Sequence, residues 1–102
     1  MWLRRLATRP DLAGGSRSLA ELVSDRAGVD AVRGDWARVA EAYGKFDALT
    51  TELRPYFPNA LWAFHDRTRE DATSELGAEA FGRHHEAGAR MTYAETVEFL
   101  VA

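Results

Sequence analysis

The aliphatic residues of this chain constrain its fold more than any other feature. Among the 102 residues there is no Ile, Val occurs six times and Ala occurs eighteen times. Ala is the strongest helix former, whereas Ile and Val are the aliphatic residues that β-sheets favour. A sheet core is therefore difficult to build from this composition, which predicts an all-α fold. The length is that of one ordinary domain.

Helical periodicity and turn signals divide the chain into short helices. Residues 1–17 are predicted to form a short N-terminal helix, ended by Pro10, and then a flexible loop around Gly14 and Gly15. Residues 18–102 are predicted to form one helical domain, with helices over about 18–33, 36–53, 58–76 and 78–87 and a last one after Thr92. The links are short, which indicates antiparallel hairpins and five to six helices in total.

Individual residues mark where these helices begin, end and touch. Ser18 and Thr92 are each followed three residues later by Glu, the pattern of a capping box at a helix start. Three glycines are expected to end helices in the left-handed conformation: Gly34, Gly77 and Gly88. Gly44 lies inside the apolar stripe of the second predicted helix, where it is expected to permit a close contact between helices.

Charge and composition exclude several classes of function. The net charge is −3 and the isoelectric point about 5.6, which argues against a domain that mainly binds nucleic acid phosphates. Without cysteine there is no disulfide and no thiolate metal site. No apolar run reaches the roughly 18 residues that a membrane span needs. We expect a cytoplasmic protein that contacts neither membrane nor nucleic acid.

The sequence offers no residue set for catalysis or for a metal. His84 and His85 are adjacent, so on a helix they point about 100° apart and do not readily share an ion. Residues 66–71 mix acidic and basic side chains, as on a solvated helix face. There is neither a Gly-x-Ser-x-Gly motif nor a phosphate-binding loop. We therefore predict no enzyme activity, no metal and no cofactor.

Aromatic residues supply the candidate contact surfaces. Trp2 lies at the chain start beside Leu3 and Leu6, and Trp62 falls off the apolar stripe of its helix. These four residues are predicted as exposed partner contacts, the alternative being that the two tryptophans pack on each other or on the long connection between helices. A second hypothesis is an apolar pocket between helices, in which Tyr43 and His85, with Trp62, contact a small molecule.

A third hypothesis is direct DNA binding through a helix-turn-helix at Gly34 and Asp35. The recognition helix would have to present basic or amide side chains in its first turns. Residues 35–41 instead include Asp35, Trp36 and Glu41 beside one arginine. This start is too acidic and too apolar to favour entry into a DNA groove.

Three segments in order resemble a known family. Residues 33–44, with Gly-Asp at the start and Gly at the end, resemble a segment near the C-terminal end of large actinobacterial ATP-binding regulators. These are the LuxR-type regulators and the related activator and adenylate-cyclase-like proteins. Residues 76–81, then Gly88 and residues 91–95, resemble the next segments of the same family. The resemblance covers residues 18–102.

The resemblance implies a tetratricopeptide-like stack of helices that receives or transmits a signal. The ATPase motifs and the DNA-binding helix-turn-helix of the family are not in this chain, so neither activity is assigned to any residue here. The expected function is a non-catalytic protein-interaction or signal-transmitting domain of, or derived from, a transcriptional regulator. Its expected partners are other domains of a larger regulator or a second copy of the chain. The partner and the effector stay open.

Overall fold

The computed structural model describes residues 16–51 and 59–102, and those residues are almost entirely helical, with no strand. The predicted all-α class is therefore confirmed. The described helices are α1 (Ser16–Val32), α2 (Trp36–Thr50), α3 (Asn59–Leu76), α4 (Ala78–Ala89) and α5 (Tyr93–Val101). The predicted helix and loop over residues 1–15, with the proposed contacts Trp2, Leu3 and Leu6, lie outside the described residues.

Helix α2 is the centre of the domain. It packs most extensively against α4 and α1, and less extensively against α3. Because it meets three helices, α2 buries side chains on more than one face: Val39, Ala40, Ala42, Tyr43, Phe46 and Thr50. The small residues among them let neighbouring helices approach closely, and the two aromatic rings fill the space that remains. The arrangement of these helices as tetratricopeptide-like hairpins stays a prediction.

The predicted turn signals at three helix ends are confirmed. Gly34 follows α1 with φ 72° and Gly77 follows α3 with φ 87°, a region that residues with a side chain rarely adopt. Helix α5 begins with the predicted capping box. The hydroxyl of Thr92 accepts from the backbone N–H of Glu95 (3.1 Å), and the Glu95 carboxylate accepts from the backbone N–H of Thr92 (2.8 Å).

Two predicted helix boundaries are wrong. Helix α1 already includes Ser16, so Ser18 lies inside its first turn and not at a cap. Gly88 does not close α4, which continues to Ala89, because this glycine is buried in a contact with α2.

The buried face of α3 also differs from the prediction. Phe64, which lies on the apolar stripe of α3, is 45% exposed, whereas Trp62 and His65, which fall off it, are buried. The stripe is buried as predicted at Thr68 and Ala72, so the predicted face is wrong only near the start of α3, where the polar His65 is buried with a partner. Val32 is 90% exposed at the last turn of α1.

A buried carboxylate and an arginine connect α5 to the other helices. Asp30 on α1 is 1% exposed and pairs with Arg38 (3.2 Å) and Arg26 (3.3 Å). Arg38 also donates to the carbonyl oxygen of Phe99 (2.7 Å) and lies 4.0 Å from the centre of its ring. One arginine therefore joins α1, α2 and α5.

None of the helices in residues 16–51 and 59–102 is both long and apolar enough to cross a membrane.

Candidate functional site

Helices α2 and α4 touch backbone to backbone at two glycines. A Cβ atom placed on Gly44 would lie 1.8 Å from the carbonyl oxygen of His85, and one on Gly88 would lie 1.8 Å from the carbonyl oxygen of Glu41. Real Cβ atoms essentially never come within 3.0 Å of such neighbours. The predicted close contact at Gly44 is confirmed, and Gly88 is its counterpart on the facing helix.

Two histidine–carboxylate pairs flank this contact. Nδ1 of His84 donates to Glu41 (2.9 Å) and Nε2 of His85 donates to Asp47 (2.7 Å), since an ionised carboxylate only accepts. Both histidine side chains are about one-third exposed, at 34% and 32%. Their acceptors lie six residues apart on α2, on either side of Gly44. In the described part of the chain, no group of three or more metal-binding side chains is arranged to hold an ion.

Asp47 connects three helices. Besides the bond from His85 on α4, it accepts two bonds from the guanidinium of Arg69 on α3, of 2.7 and 2.5 Å. The same guanidinium lies 4.3 Å from the centre of the Tyr43 ring. Burial raises the pKa of Asp47, but the hydrogen bonds from Arg69 and His85 outweigh it and hold that pKa below its usual range. The carboxylate therefore stays ionised at neutral and mildly acidic pH.

Beside this pair, Tyr43 and His65 form a buried hydrogen bond. The Tyr43 hydroxyl lies 2.6 Å from Nδ1 of His65, which is 2% exposed. Burial raises the pKa of Tyr43 to about 12, so the phenol keeps its proton. Burial, assisted by the positive charge of Arg69, lowers the pKa of His65, which favours the neutral imidazole.

The other nitrogen of His65 faces apolar surroundings. Nε2 is buried and has no hydrogen-bond partner among the described residues. The imidazole lies 5.2 Å from the ring of Phe46 and 5.4 Å from that of Phe64, centre to centre. The Trp62 ring also packs against Phe46, with 5.5 Å between the two ring centres. The His65 imidazole therefore has the rings of Phe46 and Phe64 beside it in addition to its hydrogen bond with Tyr43.

The residues singled out from the sequence have different outcomes. Tyr43 and His85, the expected ligand contacts, do enter one network through Asp47 and Arg69, and a ligand role for them stays a prediction. The expected exposure of Trp62 is wrong, because the ring is 7% exposed and packed in the core. It offers little surface to a partner in this conformation.

Sequence reasoning missed the polar side chains that hold the network together. Asp47 lies four residues after Tyr43 and Arg69 lies four residues after His65, so each pair shares a helix face. That spacing was a usable signal. Which face of α2 meets which face of α3 was not, because the pairing joins residues 22 positions apart.

The hydrogen bonds of this network run from one helix to another: Tyr43 to His65, Arg69 to Asp47, His85 to Asp47 and His84 to Glu41. Such an arrangement fixes the relative positions of α2, α3 and α4.

Comparison with known protein families, with curated proteins and with solved structures finds no match to this chain.

Proposed function

We propose that this chain is a non-catalytic, tetratricopeptide-like helical domain that binds proteins or transmits a signal. In this proposal it is part of, or derived from, a LuxR-type transcriptional regulator acting in the cytoplasm. The observation that carries the proposal is the position of the residues behind the family resemblance. They lie at helix joints and helix contacts, not around a reacting centre: Gly34, Gly44, Gly77, Gly88, Thr92 and Glu95.

Each of these residues has a structural task. Gly34 and Gly77 provide the left-handed turns after α1 and α3, and the Thr92–Glu95 capping box begins α5. Gly44 and Gly88 bring α2 against α4. A motif of this kind specifies a stack of helices, whereas a catalytic motif specifies a nucleophile, an acid or a phosphate cradle. The resemblance and the structure thus support a scaffold role.

The proposed contact surface includes the exposed apolar residues of α1. Val29 and Val32 are spaced three residues apart, so they share one side of the helix, and both are exposed. Helical pairs of repeat proteins stack through such faces on a neighbouring repeat or on another helix. We propose that this side meets another domain of a larger regulator or a second copy of the chain.

Sedimentation velocity of the full chain over a wide concentration range tests the proposal. We expect reversible self-association, weakened by Val32→Asp with an unchanged helical circular dichroism spectrum. Ala94→Asp is the matched control, since it adds the same charge at an exposed position on α5. A clean monomer at the highest concentration would count against this function.

A second candidate is a small-molecule sensor, favoured by the convergence of Tyr43, His65 and His85 on one network beside apolar rings. An NMR screen with small fragments would support it if chemical-shift changes cluster at these three residues. If no fragment shifts their signals, the sensor hypothesis is removed.

A further inference from the structure

The N-terminal half of α3 is held on α2 by a small group of buried side chains. Trp62 and His65 of α3 pack against Phe46, and the Tyr43 hydroxyl is hydrogen-bonded to His65. Among the histidines that contact α2, His65 is buried at 2% exposed, whereas His84 and His85 are about one-third exposed.

A protonated His65 fits this position poorly. In the imidazolium both ring nitrogens carry N–H, so Nδ1 can no longer accept from the Tyr43 hydroxyl, and the buried Nε2 has no acceptor among the described residues. A buried charge without partners or water is unfavourable. The charged or titratable groups that face His65 are Tyr43 and Asp47 from α2 and Asp66 and Arg69 from its own helix, and His85 of α4 reaches it only through Asp47. Burial and the Arg69 charge oppose protonation more than the two carboxylates favour it.

The neighbouring contacts do not weaken over the same pH range. Asp47 stays ionised because its pKa is below the usual range, and Arg69 is always charged. Their bidentate pair therefore keeps the middle of α3 attached to α2. Helices α2 and α4 meet through glycine backbones, and His84 and His85 donate to carboxylates.

We propose that His65 makes the N-terminal half of α3 an acid-sensitive element, which swings away from α2 about the Asp47–Arg69 pair when the imidazole is protonated. Helices α1, α2 and α4 keep their contacts, and Trp62 becomes accessible to solvent. The buried indole and its Phe46 partner would then form a new apolar surface, present only in acid.

The sign of the effect follows from proton linkage. In the closed form the pKa of His65 is below its ordinary value, whereas in the open form water surrounds the ring and the ordinary value of about 6.5 applies. The open form binds the proton more tightly, so acid favours it. The ratio of open to closed molecules rises as pH falls below about 6.5, by up to about tenfold per pH unit.

Quenching of Trp62 fluorescence tests the proposal in the full chain. Trp2→Phe and Trp36→Phe leave Trp62 as the single tryptophan, and acrylamide quenching is measured from about pH 7.5 to about pH 5. We expect the quenching constant to rise severalfold over this range while the helical circular dichroism signal is retained. Unchanged quenching overturns the proposal, and so does exposure of Trp62 that runs parallel to loss of the whole helical signal.

Variants of the histidines complete the test. His65→Gln and His65→Phe remove the titrating group, and the phenyl ring also suits the apolar neighbours if the glutamine variant does not fold. Both are expected to abolish the acid response of Trp62. His84→Gln is the matched control at another imidazole and is expected to retain it. The same acid response in the folded His65 variants would overturn the assignment to this residue.

Discussion

Helix α2 makes two kinds of contact. Against α4 it presents Gly44 to the backbone of His85, while Gly88 of α4 meets the backbone of Glu41. Against α3 it presents aromatic rings, a buried tyrosine–histidine bond and a carboxylate–guanidinium pair. The first contact is set by the absence of side chains and the second by their chemistry.

The difference predicts what each contact tolerates. A backbone contact has no room for an added atom, but it does not depend directly on the charge of any side chain. A side-chain contact adapts to small changes of volume through rotamers, but it depends on protonation and on both partners of each pair. The two contacts of α2 are therefore expected to fail under different perturbations.

The largest effect is expected from Gly44→Ala. The added methyl group would collide with the carbonyl oxygen of His85, so α2 and α4 must separate. We expect a loss of about 3 kcal/mol or more in the free energy of unfolding, measured by urea denaturation. Gly82→Ala is the control on α4, since a Cβ there meets nothing within 4 Å, and it should gain up to about 1 kcal/mol from helix propensity. Equal stability of the two variants would refute the backbone contact.

Asp47→Asn is expected to have the next largest effect. It removes the acceptor charge shared by Arg69 and His85, and so weakens the α2–α3 contact most. We expect a loss of about 2 kcal/mol in chemical denaturation, because hydrogen bonds to charged groups exceed neutral ones. The control is Asp71→Asn, at an exposed position of α3. A difference between the two variants within experimental error would contradict the connecting role of Asp47.

Thr92→Ala tests a helix start that takes part in neither the α2–α3 nor the α2–α4 contact. It removes the hydroxyl that accepts from the Glu95 N–H at the start of α5. We expect a loss of about 1 kcal/mol, with the α2–α3 and α2–α4 contacts unchanged by NMR. Ser74→Ala, at an exposed position inside α3, should leave stability nearly unchanged. An equal effect of the two substitutions would show that the capping box contributes nothing.

A smaller effect is expected from acid titration of Asp47. Its folded-state pKa is lower than the unfolded value of about 3.9, so the stabilisation is present above that pH. It is lost as pH falls through the lower folded-state value. Denaturation curves of the wild type should therefore lose stability below about pH 4 more steeply than those of Asp47→Asn. Identical slopes would show that the carboxylate is not stabilised by folding.

Local signals in the sequence predicted the helices and several of their joints. The positive φ angles at Gly34 and Gly77, the Thr92 capping box and the close contact at Gly44 all depend on residues near in sequence or on one missing side chain. Composition predicted the all-α class for a similarly simple reason, since Ala without Ile disfavours sheets.

The buried polar residues could not be predicted in the same way. Asp30 and His65 are buried and each has a partner on another helix, Arg38 and Tyr43, whereas hydrophobic patterning treats both as surface residues. For this reason the buried face at the start of α3 was predicted wrongly, and with it the exposure of Trp62 and Phe64. Gly88 was assigned to a helix end because only the crossing of α4 with α2 reveals its other task.

The contrast between the two contacts is tested most directly by distances between pairs of spin labels. The chain has no cysteine, so labels attach only where cysteines are introduced. Ala48, Ala63 and Arg83 are exposed on α2, α3 and α4. Substituting Ala48 and Ala63 by Cys reports the α2–α3 distance, and substituting Ala48 and Arg83 reports the α2–α4 distance.

Both distance distributions are measured by pulsed electron paramagnetic resonance at about pH 7.5 and about pH 5, on either side of the ordinary histidine pKa. We expect the α2–α3 distribution to become longer and broader in acid while the α2–α4 distribution is unchanged. Broadening of both distributions together, or of neither, would contradict a difference in acid sensitivity between the two contacts.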